Sequence, residues 1–232
     1  MNRRWCLRAA IGLAAVTCIP LARAQLPAPP LGGLKALGQE RFQIGRIVVD
    51  KRAGTFTVPG RVHVLGKPLE YLATSPGGRK AYETLLELDA TGTEFNLACI
   101  LIGLERDAKQ AQFRKSGKAP IAGQRVAIHI AWSEGGRRRK ISAADALGNP
   151  EAGAKPEPIE WVYTGSPTSE ATGRFAADVT GTLIGFVHDP SSVIESAVGI
   201  GIGAYGSVRG NAALPPVGSA IELIVEAANA SK

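Results

Sequence analysis

Four residues have side chains suited to chemistry: Glu83, Asp178, His188 and Asp189. An imidazole next to a carboxylate, as in His188-Asp189, is a pairing that acid–base catalysis or a metal ion uses. Brought together by folding, the four would make a metal- or carboxylate-dependent hydrolase, with His188 and Asp189 as the first metal ligands. Spacing along the chain does not assemble them. His63, His129 and His188 stand in neither His-x-x-x-His nor His-Glu-x-x-His spacing. Local structure also competes for two of the acids. Asp178-Val179-Thr180-Gly181 reads as a turn. Asp189-Pro190-Ser191-Ser192 reads as a helix start, with Asp189 at the N-cap and Pro190 in the first turn. Glu83 has no such explanation, because its strand face carries Ala81, Leu85, Glu87 and Asp89.

The other chemistry-bearing motifs are weaker. Gly201-Ile202-Gly203-Ala204-Tyr205-Gly206 spells G-x-G-x-x-G. It lacks the strand before it and the helix after it that a dinucleotide site requires, so it reads as a glycine-rich loop or edge strand. G-x-S-x-G and Walker motifs are absent from the sequence. Cys99 lies in an apolar helical stretch and reads as an inert core thiol. Arg137-Arg138-Arg139-Lys140 beside a Gly-Gly turn is a solvated hairpin edge that could touch an anionic surface. No cofactor is expected.

The N-terminus reads as an export signal. Arg3, Arg4 and Arg8 precede a short apolar run at 9–21, and Ala22-Arg23-Ala24 offers small residues at the cleavage positions. The cut falls between Ala24 and Gln25. Asn2-Arg3-Arg4-Trp5-Cys6-Leu7-Arg8 resembles the twin-arginine export signal, with Cys6 in its apolar slot as a departure. Removing residues 1–24 removes four arginines and no acid, taking the formal charge from +7 to +3. Nucleic acid thereby loses its main electrostatic argument. Two of the three cysteines leave as well, so Cys99 has no intramolecular disulfide partner.

Any site must be positioned by short elements. The chain holds 28 glycines and 15 prolines, about 19% against the roughly 12% of average usage, which argues for many turns. Residues 25–40 begin Gln25-Leu26-Pro27-Ala28-Pro29-Pro30 and read as a tether, leaving 41–232 as a single domain. Strands are predicted at 46–50, 55–58, 62–64, 69–74, 81–89, 125–132, 137–141, 159–163, 174–177, 182–187 and 221–225, with Pro59-Gly60 as a break. Residues 106–123 read as a loop. The one strong helix spans about 93–104, capped by Thr93 and apolar nearly all round, so Leu101 is expected in the core. A helical turn opens at Ser142, and 191–198 looks helical. The fold class is α+β: a mainly antiparallel β-sheet of short strands, one buried helix, and one or two short helices.

Several segments in this order resemble the YdjY-domain family, which is bacterial, often exported and functionally uncharacterised. They include Gly45-Arg46-Ile47-Val48-Val49-Asp50, Pro68-Leu69-Glu70-Tyr71-Leu72, Gly77-Gly78-Arg79-Lys80-Ala81-Tyr82-Glu83-Thr84-Leu85-Leu86 and Leu97-Ala98-Cys99-Ile100-Leu101-Ile102-Gly103-Leu104. Trp161-Val162-Tyr163-Thr164-Gly165-Ser166, Ala177-Asp178-Val179-Thr180-Gly181, Asp189-Pro190 and Leu214-Pro215-Pro216-Val217-Gly218 follow. The resemblance covers roughly 42–226. Where the family usually has His before the Glu of its third segment, this chain has Tyr82, so no role resting on that His transfers. The resemblance implies membership and export, and no established reaction.

Two functions are therefore carried forward. The first is an exported, soluble, non-catalytic binding or interaction module in the periplasm or outside the cell, whose partner is a protein or small ligand. The second is the hydrolase built on Glu83, Asp178, His188 and Asp189.

Overall fold

The computed structural model describes residues 33–106, 120–148, 159–169, 172–199 and 208–228. Lys35–Gly38 (β1), Arg41–Ile44 (β2), Ile47–Asp50 (β3) and Thr55–Val62 (β4) form an antiparallel meander. Tyr71–Thr74 (β5) and Thr84–Leu88 (β6) follow, then Gln124–Glu134 (β7) and Arg137–Ser142 (β8) as a hairpin. The remaining strands are Leu147–Gly148 (β9), Trp161–Tyr163 (β10), Thr182–Gly185 (β11), Ile194–Ser196 (β12), Arg209–Gly210 (β13) and Ala220–Ala227 (β14). The helices are Gly92–Leu101 (α1), Ala143–Ala146 (α2) and Ala176–Thr180 (α3).

The molecule is mostly β with few helices, but the main sheet is not open. Strands β4, β14, β7, β10, β12, β11, β5 and β6 pair in that order, and β6 returns to β4 to close an eight-stranded ring. The β5–β6 and β11–β12 pairs are parallel and the other neighbours antiparallel, so the barrel is mixed. Closure depends on β4 sharing one edge between two partners. Residues 55–57 pair with β3, and residues 60–62 pair with β6. Pro59 stands between the two sets. Its carbonyl accepts Asp89 N–H at 2.9 Å, and its missing N–H falls on that same edge, where the partner changes. Proline is tolerated in a strand where no ladder acceptor waits for it, so the expected break at Pro59-Gly60 is instead one continuous strand. Gly60 has its own reason: a Cβ there would run into the carbonyl oxygen of Glu87.

The core is filled by the alternating residues of the long strands, including Phe56, Val58 and Val62 on β4, Ile128 and Ile130 on β7, and Ile221, Leu223 and Val225 on β14. Phe95 of α1 meets Phe56 edge-on, ring centroids 5.2 Å apart. Helix α1 begins with a capping box, Thr91 and Glu94 each accepting the other's backbone N–H. The cap is thus Thr91, two residues before the expected Thr93. The helix is not buried all round either: Phe95, Ala98 and Cys99 are buried, Leu101 is half-buried, and Ile100 is 50% exposed.

Four further expectations change. Strand β1 starts at Lys35, inside the expected tether, and pairs with β2. The strand expected over 81–89 opens as a 3-10 turn, Ala81–Glu83, before β6. Asp178 lies within α3, which ends at Gly181 with φ 76°, not in a simple turn. The helix expected after Asp189 is a β-turn leading into β12: Ser192 N–H donates to the Asp189 carbonyl at 2.9 Å. The G-x-G-x-x-G segment, 201–206, lies outside the described residues, as does most of the expected loop at 106–123.

Candidate functional site

The start of β5, the start of β6 and the end of β11 lie at one rim of the barrel, because Tyr71 pairs with both Thr84 and Gly185. Backbone bonds lock the rim: Glu70 N–H donates to the Glu83 carbonyl at 3.0 Å, and Phe186 N–H to the Glu70 carbonyl at 3.2 Å. Three carboxylates gather there. Glu83, 5% exposed, accepts from Lys80 Nζ at 2.6 Å. Glu70 lies 3.9 Å from the same Nζ. Asp189 Oδ2 accepts from the Tyr71 hydroxyl at 3.0 Å. Its Oδ1 accepts Ser191 N–H at 2.9 Å and Ser191 O–H at 2.7 Å. Burial, and then the neighbouring Glu83 charge, raise the Glu70 pKa, against the opposing pull of Lys80. Burial and the Asp189 charge also raise Tyr71. The Glu83 hydrogen bond is the main cause that raises Lys80.

The rim therefore unites Glu83 and Asp189, and adds Glu70, Tyr71 and Lys80. Alternation along the sequence gave no sign of these three, since their meeting depends on the parallel β5–β6 pair. Asp178 goes elsewhere. Its carboxylate accepts Thr93 N–H at 2.8 Å and the Thr93 hydroxyl, tying α3 to the first turn of α1. His188 is buried at φ 29°, and its Nε2 donates to the Ser196 carbonyl on β12 at 3.2 Å. Among the described residues no group of three or more His, Cys, Asp and Glu side chains is placed to hold a metal ion.

A second feature is a groove of about 470 Å³ between α1 and the segment after β10. Its walls include Asn96 and Ile100 of α1, Arg106, Tyr163, Ser166 and Phe175. The Tyr163 hydroxyl donates to Asn96 Oδ1 at 2.8 Å. Ser166 Oγ accepts Ala177 N–H at 2.9 Å. Gly165, at φ 57°, leaves space that a Cβ would deny: it would stand 3.0 Å from Arg106 Cδ and 3.1 Å from Tyr163 Oη. Burial raises the Tyr163 pKa, and Arg106 opposes the rise. Cys99 beneath is fully buried, and burial pushes its thiol well above the ordinary range, away from nucleophilic chemistry.

A smaller groove, about 290 Å³, opens where β7 passes from β10 to β8, beside Arg125, His129 and Trp161. Burial, then Lys140, lowers the His129 pKa. On β8 the basic run Arg137, Arg138, Arg139 and Lys140 is exposed, with Arg138 paired to Glu222 at 2.6 Å and Arg139 to Glu134 at 2.8 Å. No helix among the described residues is long and apolar enough to cross a membrane.

No curated protein and no solved structure matches the chain. A family model described as the YdjY domain does, over residues 47–226. Since that match runs from the first residue of β3 almost to the end of β14, the chain belongs to the YdjY-domain family.

Proposed function

We propose that this is an exported, non-catalytic binding module that takes a small ligand in the groove between α1 and the segment after β10. The observation that carries the reading is the Tyr163–Asn96 hydrogen bond beside Arg106. It fixes polar groups in a cleft of ligand size, lined also by apolar and aromatic side chains, as small-molecule sites are. The acids that a hydrolase would need support the same choice by what they already do. Asp178 holds Thr93, Asp189 holds Ser191 and Tyr71, and Glu83 is held by Lys80. The proposal includes cleavage after Ala24 and action in the periplasm or outside the cell, with no nucleic acid as partner. Native mass spectrometry of the chain purified from the exported compartment tests it. A small molecule on the wild type, lost in Asn96→Ala, supports the groove. Ligand-free protein that hydrolyses ester or glycoside substrates contradicts it.

The rim favours a second reading through one observation. Glu70 keeps its proton to higher pH than an ordinary glutamate and sits beside Glu83 and Asp189, which is how a general acid is prepared. On that reading Glu70→Gln removes an activity that Asn96→Ala leaves intact.

A further inference from the structure

We infer that the groove selects an organic carboxylate carrying an apolar chain or ring; this deepens the binding reading above and rests on it. The hydrogen-bond inventory decides the class. Asn96 Oδ1 is occupied by the Tyr163 hydroxyl, so the amide offers its Nδ2 donors. Tyr163 has spent its proton on that bond. Ser166 Oγ is occupied as an acceptor by Ala177 N–H, which leaves its own proton to give. Arg106 forms no ion pair among the described residues and adds a guanidinium, a group with donors and no acceptor. The polar end of the groove is therefore rich in donors, and its complement is an acceptor-rich head. A carboxylate matches a guanidinium best, in two parallel bonds.

The other wall sets the remainder of the ligand. Ile100 projects from α1 half exposed, while Phe95, Ala98 and Cys99 of the same helix are buried. Ile100, Leu104 and Phe175 form an apolar side with room for a short chain or one ring. A fully polar dicarboxylate would leave this side wet, and a neutral hydrocarbon would leave Arg106, Asn96 and Ser166 unanswered.

The test is calorimetric titration of the full mature chain with 4-phenylbutyrate and with its neutral amide, 4-phenylbutanamide. Wild type should bind the acid about tenfold or more tightly than the amide, the size of one charge-assisted contact. Arg106→Gln should abolish that preference and leave amide affinity unchanged. Ile100→Asn should weaken both ligands alike. Both side chains are exposed, so thermal melting of the variants should match wild type and show that the fold is retained. Equal binding of acid and amide, with both weakened in Ile100→Asn, overturns the carboxylate class and leaves the groove standing. A preference for the acid that survives Arg106→Gln overturns the assignment of the carboxylate to the Arg106 end of the groove. Absence of binding by either probe at millimolar concentration, or binding unmoved by both variants, overturns the groove reading and this inference with it.

Discussion

At Asp189 the sequence offered two accounts, a helix cap or a charge needed for chemistry, and the structure assigns the carboxylate to an Asx turn and to Tyr71. Both oxygens are accepting, so the role rests on geometry more than on charge. Asp189→Asn keeps an acceptor for Ser191 and should be almost neutral. Asp189→Ala strands the Tyr71 hydroxyl, which is buried, and should cost about 2 kcal/mol in urea unfolding. A large loss in the Asn variant would mean that charge matters. Glu70 gives a pH prediction. Its folded pKa lies above the ordinary value of 4.5, so the native state holds the proton longer than the unfolded chain. Stability should then fall as pH rises from 4.5 through the folded pKa. Glu70→Gln should flatten that fall in melts taken across the range, and an unchanged slope would remove Glu70 as its source. Asp178 and Asp189 stood out in the sequence as turn and cap residues, but the Thr93 partner of Asp178 and the Tyr71 partner of Asp189 are far off along the chain, and no helix follows Asp189. Glu70, Tyr71 and Lys80 did not stand out, because only the β5–β6 pairing brings them to one rim.

Among elements, α1 and β4 carry the most consequence. The apolar run at 93–104 identified α1 but overstated its burial, since a run of hydrophobic residues does not say which side faces the barrel. Phe95, stacked edge-on against Phe56, is the true anchor. Phe95→Ala should cost about 3–5 kcal/mol, and Leu101→Ala less than the roughly 2–5 kcal/mol of a fully buried leucine. Chemical denaturation of the pair checks this, and equal losses would place Leu101 in the core after all. The continuity of β4 was hidden by Pro59-Gly60, whose usual meaning is an end. Gly60 sits where a Cβ meets the Glu87 carbonyl. Gly60→Ala should therefore cost about 1–3 kcal/mol by overpacking, and its amide exchange should quicken on β6 more than on β14. Uniform exchange across both strands would argue against β4–β6 as the closing seam.

For the whole molecule, the sequence announced a β-rich chain with few helices and concealed the ring. Alternation identifies strands, but the parallel β5–β6 and β11–β12 pairs depend on long-range partners that periodicity cannot name. The same limit applies to function. Leu97-Ala98-Cys99-Ile100 and Trp161-Val162-Tyr163-Thr164-Gly165-Ser166 drew notice as segments, and only folding sets Ile100, Tyr163 and Ser166 around one groove. Processing belongs to this scale too: intact mass of the exported protein should correspond to a chain beginning at Gln25, and retention of residues 1–24 would refute the export signal. The most direct test of the binding account is backbone amide NMR of the mature chain during titration with 4-phenylbutyrate. The account predicts saturable shifts concentrated at Asn96, Ile100, Arg106, Tyr163 and Ser166, with Glu70, Tyr71, Lys80 and Asp189 unmoved. Shifts centred on those four rim residues, or none anywhere at millimolar ligand, would contradict it.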